Sequence, residues 1–312
     1  MKTAAVILAV SVVAVALALL KVIPDYDVGL ATTAAIMALF VMSLDLLSGF
    51  TGLESLGHAS FFGTGAYVAA ILALHGYDNA LVAVAAGAVA ATLLATAFAA
   101  IALRAIGPYF LIMTMALGYL PWSLAIKLRS FTGGDDGLSG LPRPQLFGFS
   151  LESGPAFFTF TLIATLVCGA IIVGIGRSSF GTTLRGIRGN ASRMAALGYN
   201  VWLHKYACFL ISAFFAGVAG ALFAYYSSFV SPDVLGVGQS AEALVAMIVG
   251  GAGTMFGPAL AAAVLMLLHS TVGSVFRYWN LLLGSIYIAV VLFAPNGVLA
   301  ASRRLASGRR RA

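Results

Sequence analysis

The sequence predicts an all-α polytopic membrane protein with about ten transmembrane helices and both termini cytoplasmic. Three observations carry this. Hydrophobic residues make up 61% of the 312 positions and charged residues 9%, against roughly 25% charged in a soluble domain. Long apolar runs recur along the whole chain, each near the length needed to cross a bilayer. The cations collect in a few short loops and in the tail. That placement, rather than the net charge of +7, argues against nucleic acid as a partner.

The first span is expected over 3–23, uncleaved, and ends at Pro24 with Asp25 and Asp27. The second covers 28–48 and holds Asp45 near its end. Residues 49–67, GFTGLESLGHASFFGTGAY, are rich in glycine and small side chains. Such a segment leaves helix geometry only where protein covers it or it lines a wet cavity. Span three continues from there to Leu74, and span four covers 79–103. Span five begins at Pro108, a good first-turn residue, and reaches Ile126. A polar connection follows, with its turns set by Gly133, Gly134, Gly137, Gly140, Pro142 and Pro144, within a loop of about 127–154. It reads either as a structured cap or as a docking surface for an external binding protein.

Span six runs from Pro155 to Gly176 and span seven over about 206–227. The 34 uncharged residues of 243–276 are too many for one span. They are expected to form spans eight and nine, broken at GGAGTMFGP, residues 250–258. Span ten covers 279–294, and a basic tail closes the chain over 300–312. In this ten-span arrangement twelve cations fall on the side of the termini and five on the other. The positive-inside bias therefore places both termini in the cytoplasm. The whole chain reads as one membrane domain.

Between spans six and seven lies a basic stretch, about 177–203, followed by Lys205. It carries Arg177, Arg185, Arg188 and Arg193 and no acid. Leu184, Ile187, Ala191 and Met194 recur at spacings of three and four, so they are expected to share one face of a short amphipathic helix. Gly198 and Asn200 are candidate stops. Such a helix either lies on lipid headgroups or docks into a partner protein.

The sequence offers little for covalent chemistry. No GxxxxGK[ST] phosphate loop occurs. The histidines at 58, 75, 204 and 269 are scattered, without metal-ligand spacing. Cys168 and Cys208 form no CxxC pair and read as packing residues. No cofactor and no metal is expected on this chain. The candidates for a translocation path are Asp45, Glu54, Ser55, Gly57 and His58, because an ionisable group at membrane depth is by default a functional candidate. The bland alternative for Asp45 is a hydrogen bond to backbone freed by nearby glycines. Gly250, Gly251, Gly253, Gly257 and Pro258 mark either a tight helix–helix turn or a hinge.

Five motifs then occur in order: SGFTGLESLGHASFFGTGAY (48–67), TGGDDGLSGLPRP (132–144), FGTTLRGIRGNASRMAALGYNV (180–201), FVSPD (229–233) and IVGGAGTMFGP (248–258). Together they resemble the inner-membrane permease of branched-chain amino acid ABC importers, the LivM type, over nearly the whole chain. The resemblance implies that 180–201 is a cytoplasmic coupling helix. Leu184, Arg185, Ile187, Arg188, Asn190, Ala195, Ala196, Leu197 and Gly198 would then meet a separate ATPase. It also implies a second LivM- or LivH-like permease subunit, two ABC ATPase subunits that carry ATP and magnesium, a periplasmic substrate-binding protein, and a bacterial inner-membrane location among lipids. Two departures stand out. Asn190 is followed by Ala191, Ser192 and Arg193 with no acid, and Asp45 and Glu54 sit where such permeases more often carry an amide or an apolar residue. Similar permeases serve urea, short amides and aromatic acids, so those solutes stay open beside branched-chain amino acids. An ion-coupled secondary transporter and a membrane scaffold are the readings from other classes.

Overall fold

The computed structural model describes residues 25–105, 107–146, 149–272 and 284–285. The expected first and tenth spans and the basic tail lie outside the described residues. Within them, five helices are long and apolar enough to cross a membrane, and three shorter apolar helices accompany them. This is a multi-pass helical membrane protein.

Helix α1 (Asp25–Leu44) passes into a π-helical turn at Asp45–Gly49. From Gly52 the chain leaves helix geometry until α2 (Ala59–Leu74). Asn79 caps α3 (Ala80–Ala102), its side-chain oxygen accepting from Leu81 N at 3.0 Å. Helix α4 (Pro108–Lys127) starts at the expected proline. The break after α1 gives α2 a late start, so α2 is only 16 residues long.

The 127–148 connection is a structured cap. It comprises α5 (Arg129–Thr132), a 3-10 turn at Gly134–Asp136 and the short strands β1 (Leu138–Ser139) and β2 (Gln145–Leu146). Strand β3 (Phe149–Ser150) pairs antiparallel with β2, while β1 pairs with β4 (Phe229–Val230), Leu138 lying opposite Val230.

Helix α6 (Gly154–Arg177) leads into α7 (Ser179–Gly189) and α8 (Ala191–Ala196), and α9 (Val201–Ser227) follows. The single amphipathic helix expected here is thus two helices. Asn190 is the reason. Its backbone is extended (φ −163°, ψ 101°), and its side-chain oxygen accepts from Arg193 N at 2.8 Å, which starts a new helix. Leu184 and Ile187 are buried on α7, whereas Ala191 and Met194 belong to α8 and are half-buried.

A 3-10 turn at Pro232–Leu235 precedes α10 (Val237–Gly250) and α11 (Phe256–Val272). Helix α10 begins six residues before the expected start of span eight. It therefore carries Gln239 and Glu242, which the sequence reading left in a loop because it followed only uncharged residues.

Helices α1 and α9 form the centre, each 72% buried over its most apolar window, against 33%, 28% and 33% for α3, α4 and α6. Small residues allow the close packing. A Cβ at Gly220 would collide with the Phe62 carbonyl of α2, and one at Gly217 would lie 2.6 Å from the Ala91 methyl of α3. Phenylalanines fill the spaces between: Phe40 and Phe62 stand 4.7 Å apart, and Phe61 and Phe209 stand 5.4 Å apart, ring centre to ring centre. The outer faces of α3, α4 and α6 expose apolar side chains such as Leu93, Ile112 and Val167. Such faces suit hydrocarbon rather than water.

Candidate functional site

Five segments meet where the π-turn of α1 ends. Asp45 is completely buried. One of its carboxylate oxygens accepts from Gly253 N at 2.6 Å and the other from Met255 N at 2.8 Å. These two amides lie in the turn between α10 and α11. Gly251 and Gly253 hold φ of 98° and 87°, and Met255 holds φ of 61°, a costly value for a residue with a Cβ. A chain bent this way frees its amides from helix bonding, and the carboxylate takes up two of them. Asp45 thus has the bond to glycine-freed backbone that the bland sequence alternative described. In this arrangement both its oxygens are occupied.

The same node holds the basic helix α7. Arg188 Nη1 donates to the Gly49 carbonyl, and the Arg185 guanidinium stacks over the Phe50 ring at 4.6 Å. Arg185 also donates to the Gly176 carbonyl at 3.4 Å. The Met255 side chain lies against Gly176 and Phe50, where a side chain at Gly176 would displace it. Gly250 and Gly257 lie back to back across the turn, and Gly257 and Pro258 are buried. The 250–258 segment therefore has the geometry of a tight helix–helix turn, locked by Asp45.

The residues proposed for partner docking divide in two. Leu184 and Ile187 are buried in the chain's own core, and Arg185 and Arg188 anchor α7 to α1. Ala195, Ala196, Leu197 and Gly198 are exposed, Leu197 to 67%. Tyr199, Trp202 and Leu203 extend this patch onto the start of α9. The sequence reading passed over these three, although a Tyr, a Trp and a Leu within five residues of a basic run were a visible signal.

The path candidates after α1 also divide. Glu54 is exposed. Its neighbours Leu53 and Ser55 are buried. Ser55, Gly57 and His58 are buried. Ser43 donates its hydroxyl to the Phe40 carbonyl at 2.6 Å, so at 2.9 Å it accepts from His58 Nε2. The His58 tautomer then carries its proton on Nε2. Its Nδ1 and the Ser55 hydroxyl are buried without a hydrogen-bond partner among the described residues. Gly57 is required for packing, since a Cβ there would collide with the Thr114 carbonyl of α4. Thr114 and Ser240 accept from Leu56 N and Ala59 N at 3.2 and 2.9 Å, which seats the start of α2 between α4 and α10.

A cavity of about 260 Å³ lies between α1, α9, α10 and α11. Met37, Phe40, Ala243 and Ala246 form apolar walls, and Gln239 and Glu242 stand on the same lining. Among the described residues no group of three or more His, Cys, Asp or Glu side chains is placed to hold a metal ion.

Comparison with known proteins gives a consistent result. The profile of the family described as branched-chain amino acid transport system / permease component matches residues 26–292. The chain is 29% identical to the high-affinity branched-chain amino acid transport permease LivM of Escherichia coli K12, over 88% of this chain and 70% of that protein. It is 28% identical to LivM of Salmonella typhimurium, over 89% of this chain and 71% of that protein. It is also 23% identical to the permease LivH of Escherichia coli K12, over 86% of this chain and 92% of that protein. No solved structure matches this chain.

Proposed function

We propose, from the premise that this chain belongs to the family of branched-chain amino acid transport system permease components, that it is one membrane subunit of an ABC importer. It moves branched-chain amino acids or a similar small polar solute across the bacterial inner membrane. It hydrolyses nothing itself. Separate ATPase subunits bind ATP and magnesium, a second LivM- or LivH-like permease completes the membrane pathway, and a periplasmic protein delivers the solute. The chain crosses the membrane about ten times with both termini in the cytoplasm, so that α7 and α8 lie on the ATPase side. Urea, short amides and aromatic acids are the alternative cargoes.

One observation carries this reading. Helix α7 is tied through Arg185 and Arg188 to the end of α1, and through Asp45 to the α10–α11 turn, while Leu197 to Leu203 stays exposed beside it. A push on the exposed apolar patch is therefore delivered to two spans at once. Rigid elements of this kind, rocked between two packed arrangements, are how a transporter alternates access. An isolated amphipathic helix resting on lipid would need no such ties.

The test is co-purification of the complex in detergent. Leu197→Asp changes only exposed surface, so the chain and the second permease are expected to purify together while the ATPase is lost. Retention of the ATPase by this variant removes α8 from the coupling surface. If wild type, purified with its second permease, also lacks an ATPase, the importer reading fails.

A further inference from the structure

We propose that the cavity between α1, α9, α10 and α11 is a binding site for a primary ammonium carried on a small apolar body, with the Glu242 carboxylate as its counter-ion. This deepens the importer reading and rests on it for the identification of the bound molecule as cargo.

Glu242 sits in the second turn of α10, a helix that is otherwise apolar or uncharged from Val237 to Gly250. Met37 and Phe40, on the same lining, are near the middle of the 24-residue apolar stretch Tyr26–Gly49. Glu242 is therefore at membrane depth. It makes no hydrogen bond and no ion pair among the described residues. A carboxylate at that depth is expensive unless it faces a water-filled space or meets a charge of opposite sign. Here it is exposed, and it faces the cavity.

The lining fixes the class of ligand. Among the described residues it holds no lysine and no arginine, and His269 stands on it together with Glu242. Met37, Phe40, Ala243 and Ala246 offer contacts to methyl and methylene groups rather than to a second polar group. Gln239 lies one turn before Glu242, and its amide nitrogen stands 3.6 Å from Met37 Sδ, which is a weak acceptor and leaves the amide available to a ligand. Helix α10 starts at Gly236, which supplies no side-chain cap. A carboxylate on the same solute would meet the electropositive first turn while its ammonium meets Glu242. At about 260 Å³ the cavity is just below the range of about 300–1,000 Å³ that takes drug-sized ligands, which suits a smaller solute.

The experiment is direct binding of radiolabelled 3-methylbutylamine to the purified full-length chain in lipid nanodiscs, with L-leucine and 4-methylpentanoate as competitors. Saturable binding is expected, displaced by leucine and not by 4-methylpentanoate, which has the apolar body and no ammonium. Glu242→Gln is expected to weaken binding about tenfold, with Glu242→Asp in between and Glu152→Gln, in the connection before α6, equal to wild type. Absence of saturable amine binding, equal binding by Glu242→Gln, or displacement by 4-methylpentanoate overturns the site. Amine binding that leucine fails to displace keeps the site and removes the branched-chain cargo from the importer reading.

Discussion

Two carboxylates sit on apolar helices of the bundle, and their surroundings could hardly differ more. Asp45 has no exposed surface, and each of its oxygens accepts from a backbone amide of the α10–α11 turn. Glu242 stands on a cavity wall and has no partner among the described residues. An acid whose lone pairs are taken up by backbone is part of the scaffold. An acid left open toward a cavity is available for a ligand. The count of donors separates the two.

The largest expected effect lies on the Asp45 side. Asp45→Ala strands the amides of Gly253 and Met255 in a buried turn that also holds Met255 at φ 61°. Each unsatisfied buried donor costs about 1–3 kcal/mol, so a loss of about 2–6 kcal/mol is expected. Thermal unfolding in detergent would show a large drop, with Asp45→Asn between the variant and wild type because one carbonyl oxygen remains as acceptor. Unfolding of Asp45→Ala at the wild-type temperature would break the contrast between the two acids.

Arg188→Ala comes second. Its guanidinium donates to Gly49 at the far end of the turn that carries Asp45, but the residue is largely exposed, so water screens and replaces part of the interaction. A loss of about 1 kcal/mol is expected, seen as a small fall in the unfolding temperature. The more telling readout is uptake by the assembled transporter. Because Arg188 ties α7 to α1, transport should fall more than stability does. Parallel loss of both would make Arg188 a packing residue only.

The multi-pass helical character was legible because it follows from length and hydropathy. Pro108 starts α4 and the 250–258 glycines break α10 from α11, whereas Asn200, expected as a helix stop, caps the start of α9 with its side chain on Leu203 N. Two features were not legible. Asn190 was visible as a residue but not as a cap, because the periodicity of Leu184, Ile187, Ala191 and Met194 runs straight across it. Glu242 was passed over because an uncharged run was used to place span eight, and a charge that faces a cavity inside a helix looks, in sequence, like the end of a loop. The contact of Asp45 with residues some two hundred positions later has no local signature at all. Only the surplus of glycine around each partner hinted that backbone amides were in need of an acceptor.

The smallest expected effect is that of Glu242→Gln on stability. The amide has nearly the same shape as the carboxylate, so the walls at Met37 and Phe40 are undisturbed. No hydrogen bond among the described residues is broken, and no charge is left unpaired, because none was paired. A change within about 0.5 kcal/mol is expected, as for a surface substitution away from any specific contact. An increase within that range is equally consistent, since removing an unpaired charge at membrane depth relieves a desolvation cost. The measurement is thermal unfolding of the ligand-free chain beside Asp45→Asn, which makes the same chemical change, carboxylate to amide, in the other environment. A clear fall for Asp45→Asn with none for Glu242→Gln places the difference in the surroundings and not in the acid. Equal falls would mean that Glu242 also holds the bundle together, and a structural partner for it would have to be sought.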